Sequence, residues 1–299
     1  MASSYKRVGV LAHPLRPQSF PVAEQIAAYL RAQNIESWVH TRWDHDEVEA
    51  DVARVDMVVA IGGDGAMLRA ARVSAPHNVP VLGINMGQLG FLTEIPGPHT
   101  WESLLSQVLN GQGWIEERMM IQASLLRGDA LVASGDALND IVISRGSAPR
   151  TIWLETYIDG DWATTYNADG LIIATATGST AYALACGGPI LPPELRNILI
   201  VPVAPHLSME RPIVLSQGAT VEVLPAEDIQ TEITLTLDGI FLGNVQPGDS
   251  IRVQASQHIS RFVRLRERHY FYRSLLDRLE PRIQMRSKPD KRRIYRESS

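Results

Sequence analysis

Between Val58 and Arg72 the chain reads VVAIGGDGAMLRAAR, and no other stretch limits the possible folds as much. Asp56–Ile61 is an apolar run of strand length, and Met67–Val73 carries apolar residues at helical spacing. Gly62, Gly63 and Gly65 surround Asp64 at the junction, so the chain passes from a buried strand into a helix through a turn nearly free of side chains. Without Cβ atoms, the backbone N–H groups of such a turn can approach an anion closely. The lone carboxylate, Asp64, sits where phosphate charge or a hydroxyl would be handled. Glycine turns also close strands for purely structural reasons, so this turn alone leaves both readings open.

A second small-residue segment strengthens the first. Asp169–Ile190 reads DGLIIATATGSTAYALACGGPI. Leu171–Ala174 is a short apolar strand, Thr175–Thr180 is dense in hydroxyls, and Tyr182–Ala185 reads as helix until Gly187-Gly188-Pro189 stops it. Thr177 or Ser179 is the expected N-cap, which would place hydroxyls and free N–H groups together. Taken alone, the segment also suits an ordinary capped helix packed closely through Ala and Gly. Strand, polar turn and helix occurring twice, each beside an Asp-Gly, suggest a nucleotide cleft in two parts.

The rest of the chain supplies a frame for that cleft. Arg7–Ala12, Ser37–His40, Val55–Ile61 and Val79–Ile84 read as strands alternating with helices at Phe20–Gln33, Met67–Val73 and Trp101–Leu109. The acidic Asp44–Asp51 reads as a solvated connection or a helix start. Such alternation favours a doubly wound, Rossmann-like α/β layer with a parallel sheet. Asn110–Gly113 breaks the pattern and marks the expected hinge. Strands then follow in quick succession: Ile121–Arg127, Leu131–Leu138, Ile141–Ser144, Thr151–Ile158, Asp161–Tyr166, Leu171–Ala174, Ile198–Val203, Thr220–Leu224, Thr231–Leu237 and Ser250–Ser256. That spacing predicts a β-rich, sandwich-like second domain, ending in a strand at Arg261–Arg266 and a helix at Tyr270–Leu279. The expected division is an α/β domain over 1–115, a β-rich domain over 116–280 and a basic, flexible tail over 281–299.

Composition narrows the function. A chain of 299 residues, 45% hydrophobic, can bury one large core or two ordinary ones. A net charge of −5 argues against electrostatic binding to nucleic acid. There is no apolar run of membrane-spanning length, and Pro14 and Pro17 interrupt the only apolar stretch near the start, so a cytoplasmic protein is expected. Cys186, the single cysteine, fits a reducing compartment and reads as a packed, inert thiol.

The motifs carry a resemblance. In order stand Gly62-Gly63-Asp64-Gly65, Asn85–Glu94 (NMGQLGFLTE), Ala137–Asp140 (ALND), Asp169-Gly170, Thr177–Tyr182 (TGSTAY), Gly187–Ile190 and Pro205-His206…Arg211-Pro212. Over roughly residues 55 to 250 the chain resembles the NAD kinase family. The resemblance implies transfer of the ATP γ-phosphate to the 2′-hydroxyl of the adenosine ribose of NAD, with Mg²⁺, in a homodimer or homotetramer. Asp64 is then the catalytic residue, either accepting the ribose proton or helping to hold Mg²⁺ against the donor phosphates. Gly62, Gly63 and Gly65 shape the phosphate-facing backbone, and Arg69, one turn into the helix, reads either as a phosphate contact or as an ordinary surface arginine. Asn139 reads adenine and Asp140 the ribose hydroxyls, where the residues alone would favour a simple turn. Asp169 faces the nicotinamide-side ribose or amide. Thr180, Ala181 and Tyr182 line the adenosine pocket, Tyr182 as an aromatic wall; Thr177, Gly178, Ser179 and Ala185 are nucleotide-binding residues of the same segment, while Arg150 and Asn167 stand at positions whose contacts vary among members. His206 reads as a structural hydrogen-bonder rather than a catalyst.

Three residues depart from the family pattern: Ala66 for a Thr or Asn, Ala176 for a Pro, and Ile240 after Asp238-Gly239 for a Gln or His. The last puts a ligand contact from that third Asp-Gly in doubt. The alternatives are another GGDG-type kinase acting on a lipid or sugar, which leaves TGSTAY unexplained, and a non-catalytic NAD(P)-binding regulator, which has no need of Asp64.

Overall fold

A strand that is apolar at every position must be covered on both faces. Met57–Ile61 obeys this rule, with all five residues buried. It belongs to an alternating series of β1 (Arg7–Leu11), α1 (Ser19–Ala32), β2 (Glu36–His40), α2 (Asp46–Val52), β3 (Met57–Ile61), α3 (Asp64–Ser74), β4 (Val81–Ile84) and α4 (Trp101–Leu109). The strands run parallel in the order β2-β1-β3-β4. Met57, Val59 and Ile61 pack with Ile26 and Leu30 of α1 and Leu105 of α4. Val58 and Ala60 face the other way, onto Val48 of α2 and Met67 and Ala70 of α3. This is the expected doubly wound layer. In this computed structural model, residues 5–41, 43, 46–87, 90–97, 99–147, 150–226 and 231–279 are described. The basic tail expected at 281–299 lies outside them, as do Gln88 and Leu89.

The chain continues through β5 (Trp114–Arg127), β6 (Ala130–Ala137), β7 (Asp140–Arg145), β8 (Ile152–Ile158), β9 (Asp161–Ala168), β10 (Gly170–Thr175), α5 (Tyr182–Ala185), β11 (Asn197–Val203), β12 (Ile213–Ser216), β13 (Val221–Pro225), β14 (Ile233–Leu237), β15 (Ile240–Val245), β16 (Asp249–Arg264) and α6 (Tyr270–Leu279). β16 joins the two regions: Phe262 pairs in parallel with Val81 of β4, while the strand runs antiparallel to β5 and β13. The first sheet thus extends as β2-β1-β3-β4-β16-β13-β8-β9, with β5 and β6 branching from β16. A second, antiparallel sheet has the order β12-β11-β10-β7-β14-β15. The two enclose an apolar core that includes Ile121, Leu125, Ile143, Tyr166, Ile173, Leu235 and Val253. The expected sandwich is present, and β16 returns the chain to the α/β layer.

Several boundaries differ from expectation for identifiable reasons. β5 begins at Trp114 rather than Ile121, so the 115/116 division falls within a strand. The charged run Glu116–Arg118 hid it, yet Glu116 and Arg118 are buried in ion pairs. Ser250–Ser256 and Arg261–Arg266 are one strand, interrupted by an irregularity between Ala255 and Ile259. β12 and β15 lie at the edges of the second sheet, partly exposed and therefore without a strong apolar signal. Asn110–Gly113 is a closed turn: a Cβ on Gly113 (φ +103°) would meet the Arg264 carbonyl oxygen at 2.5 Å. Met1–Arg266 forms one compact unit. In the second, Glu267–Ser299, the Phe271 and Tyr272 rings of α6 meet edge-on at 5.4 Å. Among the described residues, no helix is long and apolar enough to cross a membrane.

Candidate active site

β3 delivers the chain into the glycine turn, and each glycine there has a different environment. Gly62 (φ +154°) has no room for a side chain, since a Cβ would meet Ala66 Cβ at 2.5 Å and His13 Cδ2 at 3.0 Å. Gly63 and Gly65 have nothing within 4 Å of an added Cβ, leaving their backbone open. Gly63 precedes α3 with no side-chain cap, and Asp64 is the first helical residue. Asp64 Oδ2 accepts the Phe91 N–H at 2.8 Å, and Oδ1 accepts the Leu92 N–H at 2.9 Å. A Cβ on Gly90 would overlap Asp64 Oδ1. The carboxylate therefore ties the glycine turn to the 90–92 loop, a role its position in sequence did not disclose.

Positive charge collects beside this turn. Arg69 is exposed on α3, as is Arg16 in the loop after β1. Burial first, and then the charges of Arg16 and Arg69, hold the His13 imidazole below its ordinary range. Leu15 N–H donates to His13 Nδ1 at 3.1 Å, which places the ring proton on Nε2. His13 and Arg16 were missed in the sequence because their nearness to Gly62 arises only when β1 pairs beside β3.

The other half is built where β7 and β10 meet. The Asp238 carboxylate accepts three backbone N–H groups, from Leu138 at 2.8 Å, Asn139 at 2.7 Å and Asp140 at 3.1 Å. It holds the ALND turn in place, so the third Asp-Gly is a clamp. Asp140 is only 6% exposed, and its carboxylate has no hydrogen-bond partner among the described residues. Burial, with the Asp238 charge adding to it, pushes the Asp140 carboxyl up to about 7. Leu138 packs in the same apolar cluster as Met67, Ala70 and Ala71 of α3, which brings this turn to the helix that begins at Asp64.

The hydroxyl-rich turn folds differently from its expected capping. Thr177 stands at the N-cap of the short 3₁₀ turn Gly178–Thr180 but makes no side-chain cap bond, and the N-cap of α5 is Ala181. The hydroxyl of Thr175 accepts the Gly178 N–H at 3.1 Å and donates to the Leu138 carbonyl. Ser179 Oγ donates to the Ala176 carbonyl at 2.7 Å and accepts the Leu191 N–H at 3.0 Å. Thr180 Oγ1 donates to the Thr177 carbonyl at 3.3 Å. Gly178 is required because a Cβ there would overlap the Asn139 carbonyl.

Asp169 lies at the far end of β10. Asp140 pairs with Ala174, and five residue steps of about 3.3 Å set Asp140 and Asp169 about 17 Å apart along the ladder. Arg145 Nε and Nη2 donate to Asp169 Oδ1 at 2.8 Å and Oδ2 at 3.2 Å, a bidentate pair that the sequence did not reveal. Nearby Asn167 is 8% exposed, and its Oδ1 is buried without a hydrogen-bond partner among the described residues. Tyr182 is 45% exposed. Burial raises its hydroxyl first, and the charges of Cys186, Asp169 and Asp140 add to this, so both carboxylates lie within electrostatic reach of the ring. Arg150 and Ala185 are exposed, and Ala181 is partly so. The His206 ring is exposed, and its backbone N–H bonds to the Asn167 carbonyl at 2.7 Å. Burial pushes the Cys186 thiol up, consistent with an inert thiol. No group of three or more His, Cys, Asp or Glu residues poised for a metal occurs among the described residues.

Comparison with known proteins places both halves in one context. Residues 18–113 match the ATP-NAD kinase N-terminal domain, and 138–265 match the ATP-NAD kinase C-terminal domain. An NAD kinase of Dehalococcoides mccartyi is 37% identical over 279 residues, covering 92% of this chain and 96% of that protein. The crystal structure of yeast NADH kinase complexed with NADH superposes with a TM-score of 0.81 at 23% identity, covering 96% of this chain and 89% of that one. An NAD kinase from Archaeoglobus fulgidus in complex with ATP gives 0.71 at 26% identity, covering 91% and 97%.

Proposed function

This chain belongs to the NAD kinase family and phosphorylates NAD with ATP to give NADP, and from that premise we propose that Asp64 and the Asn139–Asp140 turn face one reacting ribose. One observation carries this reading. Leu138 shares an apolar cluster with Met67, Ala70 and Ala71 of α3, and two residues later Asp140 is buried with no hydrogen-bond partner among the described residues. A buried carboxylate in that state calls for a ligand hydroxyl.

On this reading the adenosine end of NAD lies at Asn139 and Asp140, with Thr177–Ala181 around it and Tyr182 and Ala185 as its wall. The nicotinamide end reaches Asp169, oriented by Arg145, and Asn167 Oδ1 accepts from the carboxamide. Arg150 lies at the rim. The separation of about 17 Å along β10 suits a ligand with two recognition ends. Donor phosphates lie on the open backbone of Gly63 and Gly65, with Gly62 shaping the turn and Arg69 and Arg16 supplying charge. The ribose 2′-oxygen then attacks the γ-phosphorus, its bond to the bridging oxygen breaks to release ADP, and Asp64 takes the hydroxyl proton. In-line placement carries most of the acceleration, since phosphoryl transfer needs little covalent help.

Among the described residues no group of three or more His, Cys, Asp or Glu stands ready for a metal, and Asp64, which keeps a lone pair on each oxygen beside its N–H bonds, can help hold Mg²⁺ against the donor phosphates. Mg²⁺ therefore enters as the ATP complex. A glycine-turn half ahead of β5 and a NAD-binding half from β5 onward, a cytoplasmic location supported by the single cysteine, and a homodimer or homotetramer complete the proposal. The test is direct: incubate the protein with NAD, ATP and Mg²⁺ and follow products by mass spectrometry. NADP phosphorylated at the 2′ position supports the reading; intact NAD beside consumed ATP sinks it.

A further inference from the structure

A chain of buried polar contacts runs between the two halves of the site. Glu94, Glu116, Arg118 and Arg264 are 4%, 3%, 3% and 0% exposed. The Leu92 residue whose N–H binds Asp64 presents its carbonyl to Arg264 Nη1 at 2.8 Å. Arg264 Nε donates to Glu116 Oε2 at 2.7 Å, and Nη1 also reaches Glu94 Oε2 at 3.4 Å. Glu116 Oε2 accepts from Arg118 Nη2 at 2.9 Å, and Arg118 Nη1 donates to Thr177 Oγ1 at 3.1 Å. Three distant segments, the 90–92 loop, the paired strands β5 and β16, and the hydroxyl-rich turn, are thereby held together.

Stability is a poor account of this arrangement. Burying charges costs several kcal/mol per ion, and apolar replacements of whole buried ion pairs are often as stable or more so. Burial pushes the Glu116 carboxyl up, but Arg264 and Arg118 beside it together hold it below the usual range, so both arginines face an anion. What the network provides is placement. A guanidinium offers a rigid fork, and Arg118 uses one arm on Glu116 and the other on Thr177. Because Thr177 Oγ1 accepts from Arg118, its own proton is directed away from the guanidinium and is available to whatever enters the turn.

We propose that Arg118 is a positioning residue for the NAD site: anchored by Glu116 and Arg264, it fixes the Thr177 hydroxyl as a donor to bound NAD. The proposal rests on the reading of Thr177–Tyr182 as part of the NAD pocket. Lysine at 118 keeps the charge facing Glu116 but has a single nitrogen and cannot serve both partners in that geometry.

The experiment compares R118K, T177V, T177S and the double variant R118K/T177V. NAD affinity is measured by calorimetry, and KM for NAD and for ATP by steady-state kinetics. R118K and T177V should each weaken NAD about 5- to 30-fold, the range for one lost ligand hydrogen bond. KM for ATP should stay within about twofold, T177S should keep near-native affinity, and the double variant should be no worse than the weaker single, since both remove the same contact. Should lysine at 118 prevent folding, Arg118→Gln, which still donates to Glu116, repeats the comparison. A weakened T177V beside an unaffected R118K overturns the role of Arg118. So do effects that multiply in the double variant, or a KM rise for both substrates together with a lower melting temperature. If T177V itself binds NAD normally, the placement of Thr177 in the pocket fails, an outcome distinct from failure of Arg118 alone.

Discussion

Asp140→Asn should make the protein more stable in alkaline solution and leave it little changed in acid. The substitution keeps the shape of a buried side chain and removes its charge. In the native protein burial, reinforced by Asp238, raises this carboxyl from 3.8 to about 7. The folded state thus holds a proton that the unfolded chain has released between those pH values. Its contribution to stability is fully present below 3.8 and is lost as pH rises through about 7. The distance between the two values corresponds to roughly 4 kcal/mol at most, and local relaxation should reduce this to about 1–3 kcal/mol. For a chain of this size, each kcal/mol moves the melting temperature by about 2–4 °C. Thermal unfolding of both proteins, followed by tryptophan fluorescence at pH 8.5 and pH 5, reads the effect. The variant should melt about 2–10 °C higher at pH 8.5, with a clearly smaller gap at pH 5. A variant less stable than the native protein at pH 8.5, or a gap independent of pH, refutes the reasoning.

Three further outcomes are expected. Gly90→Ala drives a methyl group into Asp64 Oδ1 and should cut turnover at least about 100-fold through misplacement of one catalytic group; near-native turnover would show that Asp64 need not be held by the 90–92 loop. Asn139→Ala should weaken NAD by about 5- to 150-fold with ATP affinity nearly unchanged, and an unaltered calorimetric Kd would return this residue to a purely structural turn. Asp238→Ala strips three N–H groups of their acceptor and should cost about 2–4 kcal/mol of unfolding free energy in urea titrations, together with NAD affinity; unchanged values for both would remove the clamp from the account.

The parts of this protein legible in its sequence are those with local causes. The unbroken apolar run of β3 and the glycines after it announce strand, turn and helix, because each signal lies within a few residues of its effect. The same holds for Trp101–Leu109 and Tyr270–Leu279, whose apolar spacing matches the observed helices. What stayed hidden depends on contacts between residues far apart in the chain. Asp238 (φ +48°) reads locally as a tight Asp-Gly turn, yet its partners lie about 100 residues earlier. Arg145 gives no sign that it orients Asp169, and Glu116 and Arg118 look like a solvated charge run until β16 supplies Arg264. Asp64 was visible as a carboxylate in a glycine turn, but its hold on Phe91 and Leu92 was not. Thr177 stands at the expected N-cap position, but the hydroxyl that bonds the turn belongs to Thr175 on the preceding strand.

The central claim, that Asp64 serves the transfer step while the Asn139–Asp169 half binds NAD, is tested most directly by Asp64→Asn measured for binding and turnover together. NAD affinity should stay within about threefold of native, and NADP formation should fall by about 10²–10⁴, the loss typical of a missing proton acceptor. Asparagine keeps one acceptor oxygen and turns its NH2 toward the other N–H, so amide exchange should quicken at one of Phe91 and Leu92 while protection of the other shows that the loop is still held. A variant that keeps more than about a tenth of native turnover, or one that loses NAD binding in step with activity, contradicts the claim.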